Sequence, residues 1–301
     1  MPFDPVAQDI GRRSAAAGIA VMLASVLLFS LNDVLGKWLV ATYAVGQVMV
    51  LRSLGSLAVL GPIAWRQLRA AGWRVPQPGL QALRVLLGAL ECACFYWAVG
   101  RMPLADAMTY WMAAPIFVVA LSALLLREHV DARRWLCVLA GFAGVALALG
   151  GDLGAAGLPA LVALAGSLLY ALFLVATRRL RETPDVELAA MQMLGGLAIG
   201  LALLPAQGWV VPTWRDLGLL LMLGLVATLG HIGVTRALKL APASVVVPYQ
   251  YSFILWAALF GWLFFAEVPG PHIYAGAAVV VAAGLWLYRM EQRPAVVEGP
   301  A

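Results

Sequence analysis

Six ionisable side chains stand where the surrounding sequence offers them no water: Asp33, Lys37, Arg52, Glu91, Asp106 and His231. An Asp, Lys or Arg at the centre of a membrane helix costs about 2.5–3.5 kcal/mol, so such residues are kept for pairing or for function. Asp33 and Lys37 are four apart and share a helix face. With Arg52 and Asp106 they make four charges from three helices at similar depth, toward one side of the membrane. Two readings fit them. One is an outer gate or substrate-charge site; the other is a structural ion-pair network in which Lys37 and Asp106 snorkel to the interface. Glu91 falls near the middle of its apolar run, and His231 occupies a corresponding helix. A carboxylate and an imidazole at that depth suit proton coupling, because burial and partners can bring such groups toward neutrality. A polar cavity lining is the alternative.

Two polar-aromatic sets accompany these charges. Thr109, Tyr110, Trp111 and Pro115 form the first; Pro248, Tyr249, Gln250, Tyr251, Ser252 and Trp256 form the second. They read as the two ends of a substrate passage, or as interfacial aromatic belts, where Tyr and Trp are common. Each proline frees a backbone carbonyl, which is tolerable where protein or water lines a cavity. Tyr96 and Tyr170 join the candidate contacts. The chain holds no HExxH zinc motif, no GxSxG elbow and no P-loop, so neither catalysis nor direct ATP drive is expected. Cys92, Cys94 and Cys137 lie in apolar runs without zinc or disulfide spacing and are expected to be packing residues. No metal or cofactor is expected.

The elements that must position these residues are membrane helices. Hydrophobic residues make up 63% of the 301 and charged residues 12%, with a mean hydropathy of +0.90. A soluble chain carries about 25% charge. The net charge of +5 does not point to nucleic acid, because the basic residues sit in short loops between apolar runs. A hydrocarbon core of about 30 Å needs roughly 20 apolar residues per helix. Ten such runs can be drawn, at 16–38, 45–65, 80–100, 103–126, 133–151, 157–178, 187–206, 215–238, 243–265 and 272–290. The run after Arg13 is too long for a cleavable leader and is expected to be a retained first span.

Basic residues fix the orientation. Counting connections alternately, one side holds sixteen Lys and Arg, from Arg12 and Arg13 through Arg66, Arg84, Arg133 and Arg178 to Arg293. The other holds three: Lys37, Arg101 and Arg215. The positive-inside rule then puts both termini in the cytoplasm.

The chain also repeats itself. Pro103 and Pro242 are 139 positions apart, and so are Glu128 and Glu267. Ala24, Leu27, Leu28, Phe29 and Val34 match Ala165, Leu168, Leu169, Tyr170 and Val175 at an offset of 141. A duplicated unit with an odd number of spans must sit in opposite senses, as in alternating-access carriers. The expected fold is therefore all-α: ten transmembrane helices as two inverted five-helix repeats, 1–151 and 152–291, joined at Gly150–Gly154 and followed by a mobile tail, 292–301. Glu128 and Glu267 end corresponding spans, where the helix dipole disfavours an anion. Glu128 has Arg127, Arg133 and Arg134 nearby, whereas Glu267 has no nearby Lys or Arg. A latch between helix ends is expected of them rather than substrate contact.

At Met102–Ala107, Ala114–Phe117, Leu126–Glu128 and Gly141–Gly144 the chain resembles the drug/metabolite transporter superfamily, in its EamA-type ten-span branch. The segment from Ser30 through Asn32 and Asp33 to Lys37, with Arg52 and Ser53, is similar to the subgroup of S-adenosylmethionine and riboflavin carriers. The second half departs from the pattern at Ala241–Ser244 and Phe265–Glu267. The resemblance implies a secondary transporter with a central cavity lined by spans one, three, four, six, eight and nine. The expected cargo is a small organic metabolite of amino-acid character, with export favoured. Uptake of S-adenosylmethionine, riboflavin or a similar molecule is the alternative, and a passive channel the different-class one. The expected partners are the metabolite, membrane lipid and a coupling proton. The expected setting is a bacterial cytoplasmic membrane, with the chain acting as a monomer.

Overall fold

A computed structural model describes residues 5–70, 77–125, 132–148, 153–180, 183–240 and 247–291. Arg127, Glu128, Pro242, the first three residues of the Gly-rich linker and the tail 292–301 lie outside the described residues. The helices are α1 (Pro5–Val40), α2 (Val45–Ala70), α3 (Pro78–Val99), α4 (Leu104–Trp111), α5 (Ala114–Leu125) and α6 (Ala132–Ala148). They continue with α7 (Leu153–Arg179), α8 (Asp185–Gln207), α9 (Trp214–Leu240), α10 (Ser252–Phe265) and α11 (Pro271–Glu291). A 3-10 turn, Val247–Tyr251, leads into α10. Among the described residues six helices are long and apolar enough to cross a membrane, and four further apolar segments are shorter. Leu139, Leu158, Leu229, Leu255 and Trp262 are each at least 57% exposed. Side chains of this kind belong in hydrocarbon, so the protein is an integral, multi-pass membrane protein.

The fourth apolar run is broken rather than continuous. Pro115 has no N–H, so the carbonyl of Trp111 loses its helical donor and α4 stops at Trp111. The Ser167 hydroxyl of α7 donates to that carbonyl at 3.3 Å. The break thus puts Trp111 between α3 and α7 with its backbone satisfied.

Four close pairings organise the bundle: α2 on α8, α1 on α9, α3 on α7 and α6 on α11. Behind them come α2 on α9, α3 on α8, α1 on α10, α5 on α7 and α4 on α10. Glycine sets the α2–α9 distance. A Cβ at Gly224 would collide with the carbonyl oxygen of Arg52, and one at Gly55 with that of Leu221. Small residues let membrane helices approach this closely, and here they fix the backbone from which Arg52 projects.

Hydrogen bonds join distant segments at both ends of the bundle. At one end Tyr43 donates to the Asp216 carboxylate at 2.7 Å, which raises the Tyr43 pKa above its ordinary value. Gln47 both donates to and accepts from the Val210 backbone, at 2.6 and 3.0 Å. At the other end Gln81 donates to Thr183, and Arg84 donates to Thr177 at 2.8 Å and to the Leu188 carbonyl at 3.2 Å. Arg84, counted above with a connection, is therefore a buried residue of α3.

Candidate functional site

Asp33 of α1, Arg52 of α2 and Glu91 of α3, each half-buried, stand close enough for both acids to feel the guanidinium and for Asp33 to feel Glu91. Arg52 donates through Nη1 to the Cys92 sulfur at 2.7 Å, and its guanidinium lies 5.4 Å from the centre of the Tyr96 ring. Tyr96 is buried because Gly36 makes room for its ring edge. Trp111 lies within hydrogen-bonding reach of Glu91, and Tyr170 of α7 is in electrostatic range of the same carboxylate. In this group Arg52 Nε is buried without a protein partner, and so is Oδ1 of Asn32, the residue before Asp33 on α1. Buried polar groups in proteins are nearly always satisfied, so orphans beside charges mark a place built for a ligand or water.

A second charged group stands one turn further along α1. The Lys37 ammonium is 2.6 Å from Glu267 Oε1 and donates to the Met102 carbonyl at 2.5 Å. It also lies 5.3 Å from the centre of the Phe265 ring. The other Glu267 oxygen accepts from the Leu104 backbone N–H at 2.9 Å, capping the start of α4. The anion that the α10 terminus disfavours is thus held by a lysine and by the positive end of another helix. Lys37 does not snorkel; it is 9% exposed and paired across the bundle. Asp106 lies in the electrostatic neighbourhood of Lys37, Glu267 and His272, with Oδ1 buried and unpartnered. An open cleft of about 350 Å³ lies alongside, lined by Lys37, Arg101, Met102, Pro103, Phe265 and Glu267 among others.

The four charges expected at one depth are therefore divided, Asp33 and Arg52 with Glu91 in one group and Lys37 and Asp106 with Glu267 in the other. Tyr110 is buried and spends its hydroxyl on the Ala148 carbonyl at 3.3 Å, which ties α4 to α6. The Tyr249–Gln250–Tyr251 set diverges. Tyr249 is exposed, Gln250 reaches the Met22 sulfur at 3.9 Å, and Tyr251 lays its hydroxyl over Gly284. Trp256 stacks on Phe260 with its indole nitrogen buried and unpartnered. His231 packs edge-on against Phe29, ring centroids 4.8 Å apart. Among the described residues no three His, Cys, Asp or Glu side chains gather as a metal would require.

Two partners were missed by sequence reasoning. In the sequence Cys92 reads as a packing residue, yet its sulfur accepts from Arg52; its position beside Glu91 is the available signal. Lys37 and Glu267 are 230 positions apart, and only the uncompensated charge at a helix end pointed to a missing cation.

An all-helical bundle with charges buried between its helices is the build of a membrane transporter. The model of the EamA-like transporter family matches residues 16–150 and again 157–289, and the chain belongs to that family, within the drug/metabolite transporter superfamily. It is 29% identical to a riboflavin transporter of Rhizobium johnstonii, covering 93% of each chain. It is equally 29% identical to the pseudopaline exporter CntI of Pseudomonas aeruginosa, over 92% of this chain and 97% of that one. An S-adenosylmethionine uptake transporter of Rickettsia prowazekii is 23% identical over 92% of this chain and 94% of its own length. A solved crystal structure superposes with a TM-score of 0.60 at 18% identity, covering 92% of this chain and 99% of that one, which shows a shared fold. The protein is thus a small-molecule transporter.

Proposed function

We propose that this protein is a secondary carrier that exports a small zwitterionic metabolite of amino-acid character by alternating access. The observation that carries the reading is the Asp33–Arg52–Glu91 group, with one cation, two anions and unspent hydrogen-bonding capacity at Asn32 and Arg52. A guanidinium recognises a carboxylate through paired donors, and the Asp33 carboxylate suits an ammonium. Trp111, Tyr96 and Tyr170 supply apolar walls. Proton coupling is assigned to Glu91.

The movement is read as rocking of two inverted halves, 1–151 and 152–291. Supporting this, the helix pairings keep their form when the halves are exchanged. The α1–α9 pair has α3–α7 as its counterpart, and α2–α9 has α3–α8, while α2–α8, α4–α10 and α6–α11 join corresponding spans. The twofold family match supports the same division. Sixteen basic residues on one side support cytoplasmic termini. The bacterial origin of the relatives supports the cytoplasmic membrane of a bacterium, and ten apolar segments in one chain support a working monomer.

The second reading is uptake of S-adenosylmethionine, riboflavin or a similar molecule, favoured by the names of two relatives. Counterflow into proteoliposomes, with amino acids, S-adenosylmethionine and riboflavin as preloaded partners, decides between them. Exchange with an amino acid is expected. Exchange confined to the other two installs the second reading, and absence of counterflow with any of them sinks the carrier proposal in favour of a passive channel.

A further inference from the structure

We propose that the Lys37–Glu267 pair is the outer gate of this carrier, and that the cleft beside it is a docking site where a carboxylate-bearing substrate takes Lys37 away from Glu267. The inference rests on the carrier reading and adds to it a second site and the event that opens the path.

Three observations combine. First, the pair joins three elements at one end of the bundle. Lys37 ends α1, Glu267 follows α10, and the Glu267 carboxylate also caps α4 through the Leu104 N–H at 2.9 Å. Those helices lead down to Asp33 on α1 and Trp111 on α4, so this end cannot open over the charge group while the pair holds. Second, the pair is not sealed away. Both partners line the open cleft of about 350 Å³, where Arg101 offers a further cation and Val99, Met102, Pro103 and Phe265 an apolar wall. Third, Asp106 Oδ1 is buried without a protein partner in the same electrostatic neighbourhood. A zwitterion in the cleft can exchange partners without creating a naked charge. Its carboxylate replaces Glu267 at Lys37, and its ammonium goes to the released Glu267 or to Asp106. Partner exchange avoids the penalty of leaving a buried ion alone.

The test is labelling of the native Cys92 and Cys94 by a membrane-impermeant maleimide, resolved by peptide mass spectrometry. The reagent is applied to right-side-out and to inverted vesicles in turn. The wild type should label slowly from outside. Glu267→Gln and Lys37→Met should each raise the outside rate at least fivefold, and Lys37→Arg, which keeps a cation for Glu267 and a donor for the Met102 carbonyl, should stay near wild type. Wild-type outside rates in both Glu267→Gln and Lys37→Met, or acceleration only from the cytoplasmic side, would overturn the gate. A millimolar mixture of neutral L-amino acids should also accelerate outside labelling of the wild type, and the matching amino-acid amides should not. Equal effects of acids and amides would overturn carboxylate release. The substitution arm needs no substrate, so failure of the gate is distinct from failure of the amino-acid reading.

Discussion

Asp33 and Lys37 are one turn apart on α1, and their surroundings differ in how fully the charges are answered. Around Lys37 the ammonium has Glu267 and the Met102 carbonyl, and the second Glu267 oxygen has the Leu104 N–H, with Asp106 Oδ1 left over nearby. Around Asp33 there are two acids for one guanidinium, a thiol takes one of its donors, and Asn32 Oδ1 and Arg52 Nε are left over. In a medium without water, a saturated group holds structure together, whereas an unsaturated one is costly unless something arrives to complete it. The comparison separates a pair that closes the end of this bundle until it is exchanged from a group that stands ready to hold the cargo.

The sharpest way to break that division is at Arg52. Arg52→Met should lower counterflow about 100-fold, the equivalent of two charge-assisted hydrogen bonds at roughly 1.5 kcal/mol each. Transport within threefold of wild type would show that the group is structural. Next comes Glu91→Gln, expected to lower proton-driven accumulation about tenfold while sparing counterflow, which needs no net proton movement. Accumulation at wild-type level in E91Q would remove Glu91 from coupling.

Gly224→Ala examines the scaffold beneath the cluster. Its new methyl group meets the Arg52 carbonyl, and overpacking of this kind costs about 1–3 kcal/mol. A clear fall in melting temperature is expected, with weaker substrate binding because the Arg52 backbone must move. An unchanged melting temperature would mean that α2 and α9 are not held this close. The smallest effect is expected at Tyr43→Phe. Because the folded-state pKa of Tyr43 is raised, its bond to Asp216 contributes fully below the ordinary tyrosine pKa of about 10 and fades as pH climbs through the folded value. Melting curves of wild type and Y43F should therefore differ slightly from pH 7 to about 10 and converge above it. A gap that widens with pH would contradict the assignment.

Much of the frame was legible in the sequence, because apolar run length is dictated by bilayer thickness. The ten runs correspond to helices, with the fourth interrupted three residues before Pro115, where a missing N–H demands it. The candidate site was legible only in part. A buried charge advertises itself by its cost, which singled out Asp33, Arg52 and Glu91. Its partner does not, when that partner is a cysteine sulfur or a glutamate 230 positions away. Depth is counted along a run only to about one turn, because the run's edges are set only to within a few residues, and azimuth between helices is not counted at all. That is why the sequence groups Lys37 and Asp106 with Asp33, and why Tyr249, Gln250 and Tyr251 read as one set although Tyr249 is exposed and the other two meet different helices.

The central claim is that the Asp33–Arg52–Glu91 group holds the cargo. Its most direct test is ligand-dependent thermal stabilisation of the purified protein across a metabolite library, run in parallel on Arg52→Met. Binding to the folded state alone raises stability by mass action, about 2.7 kcal/mol at a hundredfold excess over Kd. At least one zwitterionic amino-acid-like compound should stabilise the wild type and leave R52M unmoved. Equal stabilisation of both proteins by the same compound would contradict the claim and place the cargo elsewhere.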